Sequence, residues 1–197
     1  MKLDRNFYIR DGLSVARDLI GKQLVHCTGK GITKGIIVEA EAYIGPEDTA
    51  SHAYKSLRTD RTQIQYGIGG HAYIYTIYGL HTCMNVVANQ KDFPEVVLIR
   101  ALQPTVGIEL MQNRRQKQSV RELCNGPGKL SQAMGITKDC YGLDLCGNEL
   151  YIETVAGSAL SVSTTKRINI DYAGEAVHYL WRFVFSNNKF ISVPPRC

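Results

Sequence analysis

The chain has 197 residues, of which 44% are hydrophobic and 21% charged, as is typical of a globular protein with a substantial core. It carries 23 Lys and Arg against 18 Asp and Glu, a net charge of +5 that suits a polyanionic partner without establishing one. No segment approaches the roughly 20 apolar residues that span a bilayer, and the N-terminus shows no secretory signal. We expect one domain, residues 1–197, that is cytoplasmic, monomeric and independent of membranes.

The N-terminal region predicts a short helix followed by a strand. Asp11 is a candidate N-cap, the apolar residues between 13 and 20 have helical spacing, and Gly21 ends the helix. Lys22–Thr28 then has the composition of a strand, and 29–31 that of a turn.

The next region predicts a second strand, a long loop and a hairpin. Residues 34–43 alternate so that two acids and a tyrosine share one face: Glu39, Glu41 and Tyr43. Residues 45–70 are mainly loop, and 71–88 predict a hairpin that turns at Tyr78-Gly79.

The second half predicts short elements without regular alternation. A strand at 95–101 precedes a helix at 106–116, and Gly126-Pro127-Gly128-Lys129 opens another helix that runs to about Met134. Further strands are expected at 149–155, 160–170 and 180–193. Because strands outnumber helices and βαβ repeats are missing, we predict an α+β fold with a mainly antiparallel sheet and a protruding hairpin.

Six cysteines contain neither a Cys-x-x-Cys pair nor an accompanying histidine pair: Cys27, Cys83, Cys124, Cys140, Cys146 and Cys197. A zinc site therefore has no support in the sequence, and we expect reduced, structural thiols with no metal and no cofactor.

The segment from Glu39 to His52 contains the acids best placed for chemistry. A strand that ends at Gly45-Pro46 would present a carboxylate to a loop, where it could activate a water molecule. From spacing alone, a solvated face of an edge strand is the favoured interpretation of Glu39 and Glu41, since structural ion pairs are commoner than catalytic ones. His52 fits a ligand donor or a structural donor, and Asp48 is best interpreted as a turn or capping residue.

The hairpin tyrosines and the basic residues allow two interpretations each. Tyr73 and Tyr75 share a strand face, whereas Tyr78 and Leu80 lie near the tip, where burial is poor. A tip of this kind can act as a wedge that unstacks DNA bases, and this interpretation balances that of simple packing. Arg100 could bind a phosphate or pair with an acidic neighbour on the sheet. The run 114–121 is more typical of a solvated helix end than of a phosphate contact.

Gly126-Pro127-Gly128-Lys129-Leu130 is only superficially similar to a nucleotide-binding loop. It lacks the upstream glycine, and Leu130 stands where a hydroxyl would contact magnesium, so an NTPase is excluded. The free N–H groups at a helix start still suit a DNA phosphate.

Together these stretches resemble the alkyladenine (3-methyladenine) DNA glycosylase family, in its bacterial form, from about Leu3 to Val193. The most specific motifs are Glu41-Ala42-Tyr43-Ile44-Gly45-Pro46-Glu47-Asp48 with His52, Tyr73-Ile74-Tyr75-Thr76-Ile77-Tyr78-Gly79, Cys83-Met84-Asn85, Leu98-Ile99-Arg100-Ala101-Leu102, Gly126-Pro127-Gly128-Lys129-Leu130 and Phe190-Ile191-Ser192-Val193. Their joint order and spacing carry the resemblance. It implies a compact domain built on a curved, largely antiparallel sheet.

The resemblance also implies a reaction. Glu41 would be the general base for the attacking water, which Arg100 and the backbone carbonyl of Ile191 would help to hold. The product would be an abasic site in double-stranded DNA, formed without strand cleavage because no lysine stands at a nucleophile position.

The remaining implied roles concern the base and the DNA. Tyr43, His52 and Tyr75 would stack on the flipped base, and Asn85 would exclude the exocyclic amino group of guanine. Tyr78, with Leu80, would fill the gap in the duplex, while Lys129 and Arg61 would contact the DNA backbone. Expected substrates are 3-methyladenine, 7-methylguanine, hypoxanthine and ethenoadenine, and the bound protein would associate with the nucleoid.

Three positions depart from the family pattern: Asp60 and Leu180 each replace a proline, and His81 stands where an aromatic residue is also seen. None removes a presumed catalytic group, but they bear on loop conformation and damage preference. Two other functions remain open at this stage: a non-catalytic nucleic-acid-binding module and a small-molecule nucleosidase.

Overall fold

The computed structural model of the chain describes residues 1–77, 79–155 and 161–194. The helices are α1 Arg5–Tyr8, α2 Gly12–Leu19, α3 Ile108–Arg115 and α4 Pro127–Met134. The strands are β1 Gln23–Thr28, β2 Gly31–Ile44, β3 Ala72–Ile77, β4 His81–Ala88, β5 Glu95–Val106, β6 Leu150–Glu153, β7 Val162–Thr165 and β8 Arg182–Phe185. Tyr78 and Cys197, which the sequence analysis named, lie outside the described residues.

The strands form one antiparallel sheet in the order β3-β4-β5-β2-β1-β6, and β8 pairs with both β2 and β7. The sheet curls into a half-barrel, so the predicted α+β class and curved antiparallel sheet are confirmed. Strand β2 is central. Its Glu39 has Ala101 on β5 as one register partner and Val184 on β8 as the other. The edge-strand interpretation of Glu39 and Glu41 was therefore wrong, because long-range pairing covers both sides of the strand.

Residues close together in the chain determine where helix α2 begins and ends. Asp11 caps α2 as predicted, since its Oδ1 accepts a hydrogen bond of 2.9 Å from the backbone N–H of Ser14. Gly21 follows the helix with φ of 82°, a conformation that glycine adopts without strain. The buried face of α2 packs in the main core together with Ala40 and Ala42 of β2. The alanine face of β2 is therefore its core face.

Several boundaries in the second half differ from the prediction. Strand β5 continues to Val106, where a helix was expected to begin, and Gly107 in the left-handed region (φ 75°) turns the chain into α3. The strands expected at 160–170 and 180–193 shorten to β7 and β8. At Ile168 after β7 and at Ser192 after β8, the backbone N–H bonds to a glutamate side chain instead of a strand, and hydrophobic alternation does not reveal such contacts.

The predicted hairpin is formed by β3 and β4, with Ile77 opposite His81 in the register. Gly79 has φ of 69°, which suits a tight turn, and Leu80 beside it is 81% exposed. The turn end of the hairpin lies against the first turn of α4, where a Cβ on Gly128 would come 3.1 Å from the Cβ of His81.

Within the described ranges, no helix is long and apolar enough to cross a membrane. The five cysteines in those ranges are free thiols, and three of them are buried: Cys83, Cys124 and Cys140.

Candidate active site

A pocket of about 520 Å³ opens on the sheet face opposite the main core. Alternation along the strands produces this arrangement, because neighbours of core residues point away from the core. The lining includes the following residues: Tyr43, His52, Arg61, Tyr75, Asn85, Leu98, Arg100, Pro127, Ile168, Asn169 and Tyr172. Five stretches of chain that are distant in sequence therefore build one cavity.

One wall of the pocket is aromatic. The rings of Tyr73 and Tyr75 lie 5.5 Å apart, and His52 meets Tyr75 edge-on at 4.7 Å. Both tyrosines line the cavity, but Tyr73 is completely buried and packed, as one interpretation expected, whereas Tyr75 is only partly buried. The wall offers π-faces of the kind on which a planar base stacks.

His52 is an uncharged member of this wall. Its Nδ1 lies 2.8 Å from the hydroxyl of Tyr73, and Nη2 of Arg61 lies 2.6 Å from its Nε2. Burial, aided by the Arg61 charge, lowers the pKa of His52 to about 4. The guanidinium of Arg61 also lies 5.1 Å above the Tyr75 ring, so Arg61 reaches the pocket rim itself.

Asn85, the register partner of Tyr73 on the neighbouring strand, contributes a fixed amide to the pocket. It is buried on β4, and its Nδ2 donates a hydrogen bond of 3.1 Å to the backbone carbonyl of Tyr73. This bond fixes the orientation of a side chain that lines the cavity. A rigid group in this place can exclude a substituent sterically.

Four buried charges form a cluster in which Arg100 lines the pocket and the other three lie behind it: Glu39, Glu41, Arg100 and Arg182. Arg100 Nε lies 2.9 Å from Glu39 and its Nη1 3.3 Å from Glu41, while Arg182 Nε lies 2.8 Å from Glu39. Both glutamates are fully buried, which rules out the solvated face expected from spacing. Of the two interpretations of Arg100, pairing with an acidic neighbour on the sheet is confirmed.

A backbone irregularity places Arg100 beside both acids. The pairing register between β2 and β5 shifts around Glu39, so that Val38 of β2 and Arg100 of β5 have no partner in the pairing of these two strands. Bulges re-aim side chains and are frequent next to active sites. Hydrophobic periodicity could not reveal this one, because it depends on the pairing of two distant strands.

The two buried acids differ in their surroundings. Glu41 accepts hydrogen bonds of 2.8 Å from the Tyr43 hydroxyl and from the backbone N–H of Ile168. Burial raises the pKa of Glu41, and Arg100 with these donors opposes that effect only in part. Burial also acts on Glu39, but Arg100, Arg182 and the Ser192 N–H outweigh it and hold the pKa of Glu39 below its ordinary value. Glu39 is a fixed anion, whereas Glu41 is the more basic group.

Glu41 lies immediately behind the cavity surface. Its three donors are Tyr43, Arg100 and the Ile168 backbone, and all three residues line the pocket. Residues that line the cavity therefore donate hydrogen bonds to Glu41 directly.

A second ion pair supports the wall that carries Ile168. Asp48 accepts hydrogen bonds from the backbone N–H groups of Ile44 and Ala50, which confirms the predicted capping role. It also binds Arg167 at 2.6 and 2.8 Å, and the Arg167 guanidinium lies 4.8 Å from the Tyr43 ring centroid. The Arg167 pairing was missed, because the partners are 119 residues apart and no local pattern links them.

The remaining expected site residues lie around the cavity mouth or behind it. Leu80 projects from the hairpin, and Ile191 is half-buried beside Ser192. Lys129 is exposed on the first turn of α4, whose Pro127 lines the pocket, and its Nζ lies 3.0 Å from the Asn125 amide oxygen. The lining residues between 168 and 172 were not expected: Ile168, Asn169, Ile170 and Tyr172.

The model of the methylpurine-DNA glycosylase family matches residues 6–189. The chain belongs to this family. Family membership confirms the enzyme class implied by the resemblance, a hydrolytic DNA glycosylase.

Relatives in the family match over nearly the whole chain. A Clostridium acetobutylicum protein is 50% identical over 201 residues, covering 98% of both chains. Proteins from Alkaliphilus oremlandii and Natranaerobius thermophilus are 47% and 48% identical, covering 98% of this chain and 99% and 100% of their own. All three are named as 3-methyladenine DNA glycosylases.

Proposed function

We propose that this protein removes alkylated or deaminated purines from double-stranded DNA by hydrolysis, leaving an abasic site without cutting the strand. The observation that carries the proposal is the buried Glu41 behind a pocket with aromatic walls that suit a flipped base. The names of the relatives support 3-methyladenine as one substrate. We extend the list to 7-methylguanine, hypoxanthine and ethenoadenine.

In the proposed reaction the glycosidic bond stretches, positive charge develops on the deoxyribose, and Glu41 takes a proton from the attacking water. An ionised carboxylate accommodates about four hydrogen bonds, and three donors from the described residues reach Glu41, so it has acceptor capacity for a water. Its charge also stabilises the developing cation. Arg100 and the Ile191 carbonyl complete the proposed water site, and general-base assistance is worth about 10²- to 10⁴-fold in rate.

We assign base recognition to Tyr43, His52, Tyr75 and Asn85. The tyrosine faces attract the positive charge of purines methylated at ring nitrogens. Because His52 is uncharged at neutral pH, it does not repel such a base. The Asn85 amide, fixed by its bond to the Tyr73 carbonyl, supports a steric gate against the amino group of guanine.

We assign the DNA contacts to residues around the mouth of the cavity. Leu80 at the exposed hairpin tip, together with Tyr78, would fill the place of the extruded nucleotide. Lys129 and Arg61 would bind the DNA backbone, Lys129 beside the start of α4 and Arg61 from the pocket rim. No lysine lines the pocket within the described ranges, which is consistent with hydrolysis by water.

The experiment measures base release from duplexes that each hold one lesion, for the parent, Glu41→Gln and Glu153→Gln. Glu153 on β6 is the matched control, since it pairs with Lys34 on β2 and does not line the pocket. We expect release by the parent and the control and a loss of at least about 10²-fold for Glu41→Gln.

Equal release by parent and Glu41→Gln would refute the role of Glu41. Binding to damaged duplex without any release would favour the non-catalytic module. Equal activity on free nucleosides, with binding that ignores salt concentration, would favour a nucleosidase, because phosphate contacts release counterions. Strand breaks that form before alkali treatment would contradict the monofunctional mechanism.

A further inference from the structure

The chain around Ser192 is held in place by side chains. Within the described ranges, residues 191–194 form no backbone–backbone hydrogen bond. The Ser192 N–H donates to Glu39 Oε2 at 2.5 Å, the Ser192 hydroxyl donates to Glu39 Oε1 at 2.8 Å, and Arg182 donates to the carbonyl of Val193. The position of the Ile191 carbonyl therefore depends on Glu39 and Arg182.

The carboxylate of Glu39 is fully engaged by these contacts. It accepts four hydrogen bonds, from Nε of Arg100, Nε of Arg182, and the N–H and hydroxyl of Ser192. Three of these bonds are to Oε1 and one is to Oε2, and the total of four equals the number that an ionised carboxylate accommodates. Glu39 is thus suited to holding other groups and not to accepting a proton in the reaction.

We propose that Glu39 is a positioning residue, which aims Arg100 at Glu41 and fixes the peptide group that carries the Ile191 carbonyl. The inference rests on the proposed function and extends it to a residue that does not line the pocket. Because a guanidinium is a rigid fork, holding Arg100 Nε at Glu39 determines where its Nη1 meets Glu41. One carboxylate thereby orients two of the groups assigned to the attacking water.

A change at Glu39 should also act on Glu41 through charge. The charged or titratable groups around Glu41 are Glu39 and Tyr43 on β2, Arg100 on β5, Arg182 on β8, and the loop residues Asp48, Arg167 and Tyr172. Of these, Glu39 is a near anion that raises the pKa of Glu41. Glu39→Gln removes this charge and keeps the size of the side chain, so the acidic limb of the rate profile should move to lower pH.

The test is single-turnover excision of one lesion from duplex DNA, measured across pH with the dissociation constant of the same duplex. For Glu39→Gln we expect a rate about 10- to 100-fold below the parent, an acidic limb at lower pH and an unchanged dissociation constant. Glu153→Gln should match the parent in all three readouts. Thermal unfolding of each variant verifies the fold.

Three results for Glu39→Gln would overturn the inference. They are a rate equal to that of the parent, a slower rate whose acidic limb has not moved, and a loss of rate that weaker DNA binding explains. Ser192→Ala removes one of the four donors to Glu39 and decides the matter if Glu39→Gln does not fold. It should be slower than the parent at equal DNA affinity, and a parental rate would again overturn the role. If Glu41→Gln is inactive while Glu39→Gln is not impaired, only this inference fails, whereas an active Glu41→Gln removes the proposed mechanism.

Discussion

The buried Asp48–Arg167 pair allows a quantitative prediction of stability. Both side chains are fully buried, and two contacts of 2.6 and 2.8 Å join them. Asp48→Ala would leave the Arg167 guanidinium buried without its counterion. Removing one partner of a buried pair costs about 3–5 kcal/mol in the free energy of unfolding, and the cation–π contacts of Arg167 with Tyr43 and Trp181 offset only a little of this. For a chain of this size we expect Tm to fall by about 6–20 °C.

Urea unfolding followed by far-UV circular dichroism measures this cost, and fluorescence of Trp181, the only tryptophan, reports the surroundings of Arg167. Asp92→Ala is the matched control, because the side chains of the Arg58–Asp92 pair are 52% and 62% exposed and should contribute less than about 1 kcal/mol. If Asp48→Ala cost no more than this control, the argument from burial would be refuted. Adding Arg167→Met to Asp48→Ala should recover stability, since no unpaired charge then remains in the interior.

Three further predictions concern pH, packing and specificity. Because burial raises the pKa of Glu41, its basic form is lost as pH falls, so the excision rate should decline on the acidic side with an inflection above 4.5; a rate that is flat down to pH 4 would contradict this. Gly69→Ala places a Cβ against the backbone carbonyls of Tyr8 and Asn89 and should cost about 1–3 kcal/mol or more on urea unfolding, whereas Gly29→Ala enters open space and should cost much less. Asn85→Ser should increase the release of guanine from undamaged duplex, measured by chromatography of the free base. If the variant released no more guanine than the parent, Asn85 would not be a steric gate against guanine.

Elements specified by neighbouring residues were predictable from the sequence. The cap of α2 joins Asp11 to Ser14, and the hairpin turns at Gly79, so both depend on residues close together in the chain. The two faces of β2 followed from alternation alone. The limits of β5 and β8 did not. Strand β5 continues past its hydrophobic run to Val106 because β2 supplies partners that far, whereas β8 ends at Phe185 although hydrophobic residues follow at 190–193.

Several residues that line the pocket could be named from the sequence, but the electrostatics of the site could not be predicted. The family resemblance pointed to Glu41 and Arg100. The hydrogen bonds from Arg182 and Ser192 to Glu39 could not be predicted, because they join residues 143 and 153 positions apart. Spacing treats Glu39 and Glu41 as equivalent acids on one strand face. Their difference arises from the number of donors that tertiary structure supplies to each, and no local pattern contains that information.

Three of the residues that donate to the two central acids come from late in the chain, and this has a consequence during synthesis. Glu39 and Glu41 leave the ribosome early, but Ile168, Arg182 and Ser192 follow more than 120 residues afterwards. Until they arrive, the half-built sheet would have to exclude water from two negative charges that lack most of their partners. A nascent chain should therefore keep this region open, so that base excision becomes possible only after Ser192 has bonded to Glu39.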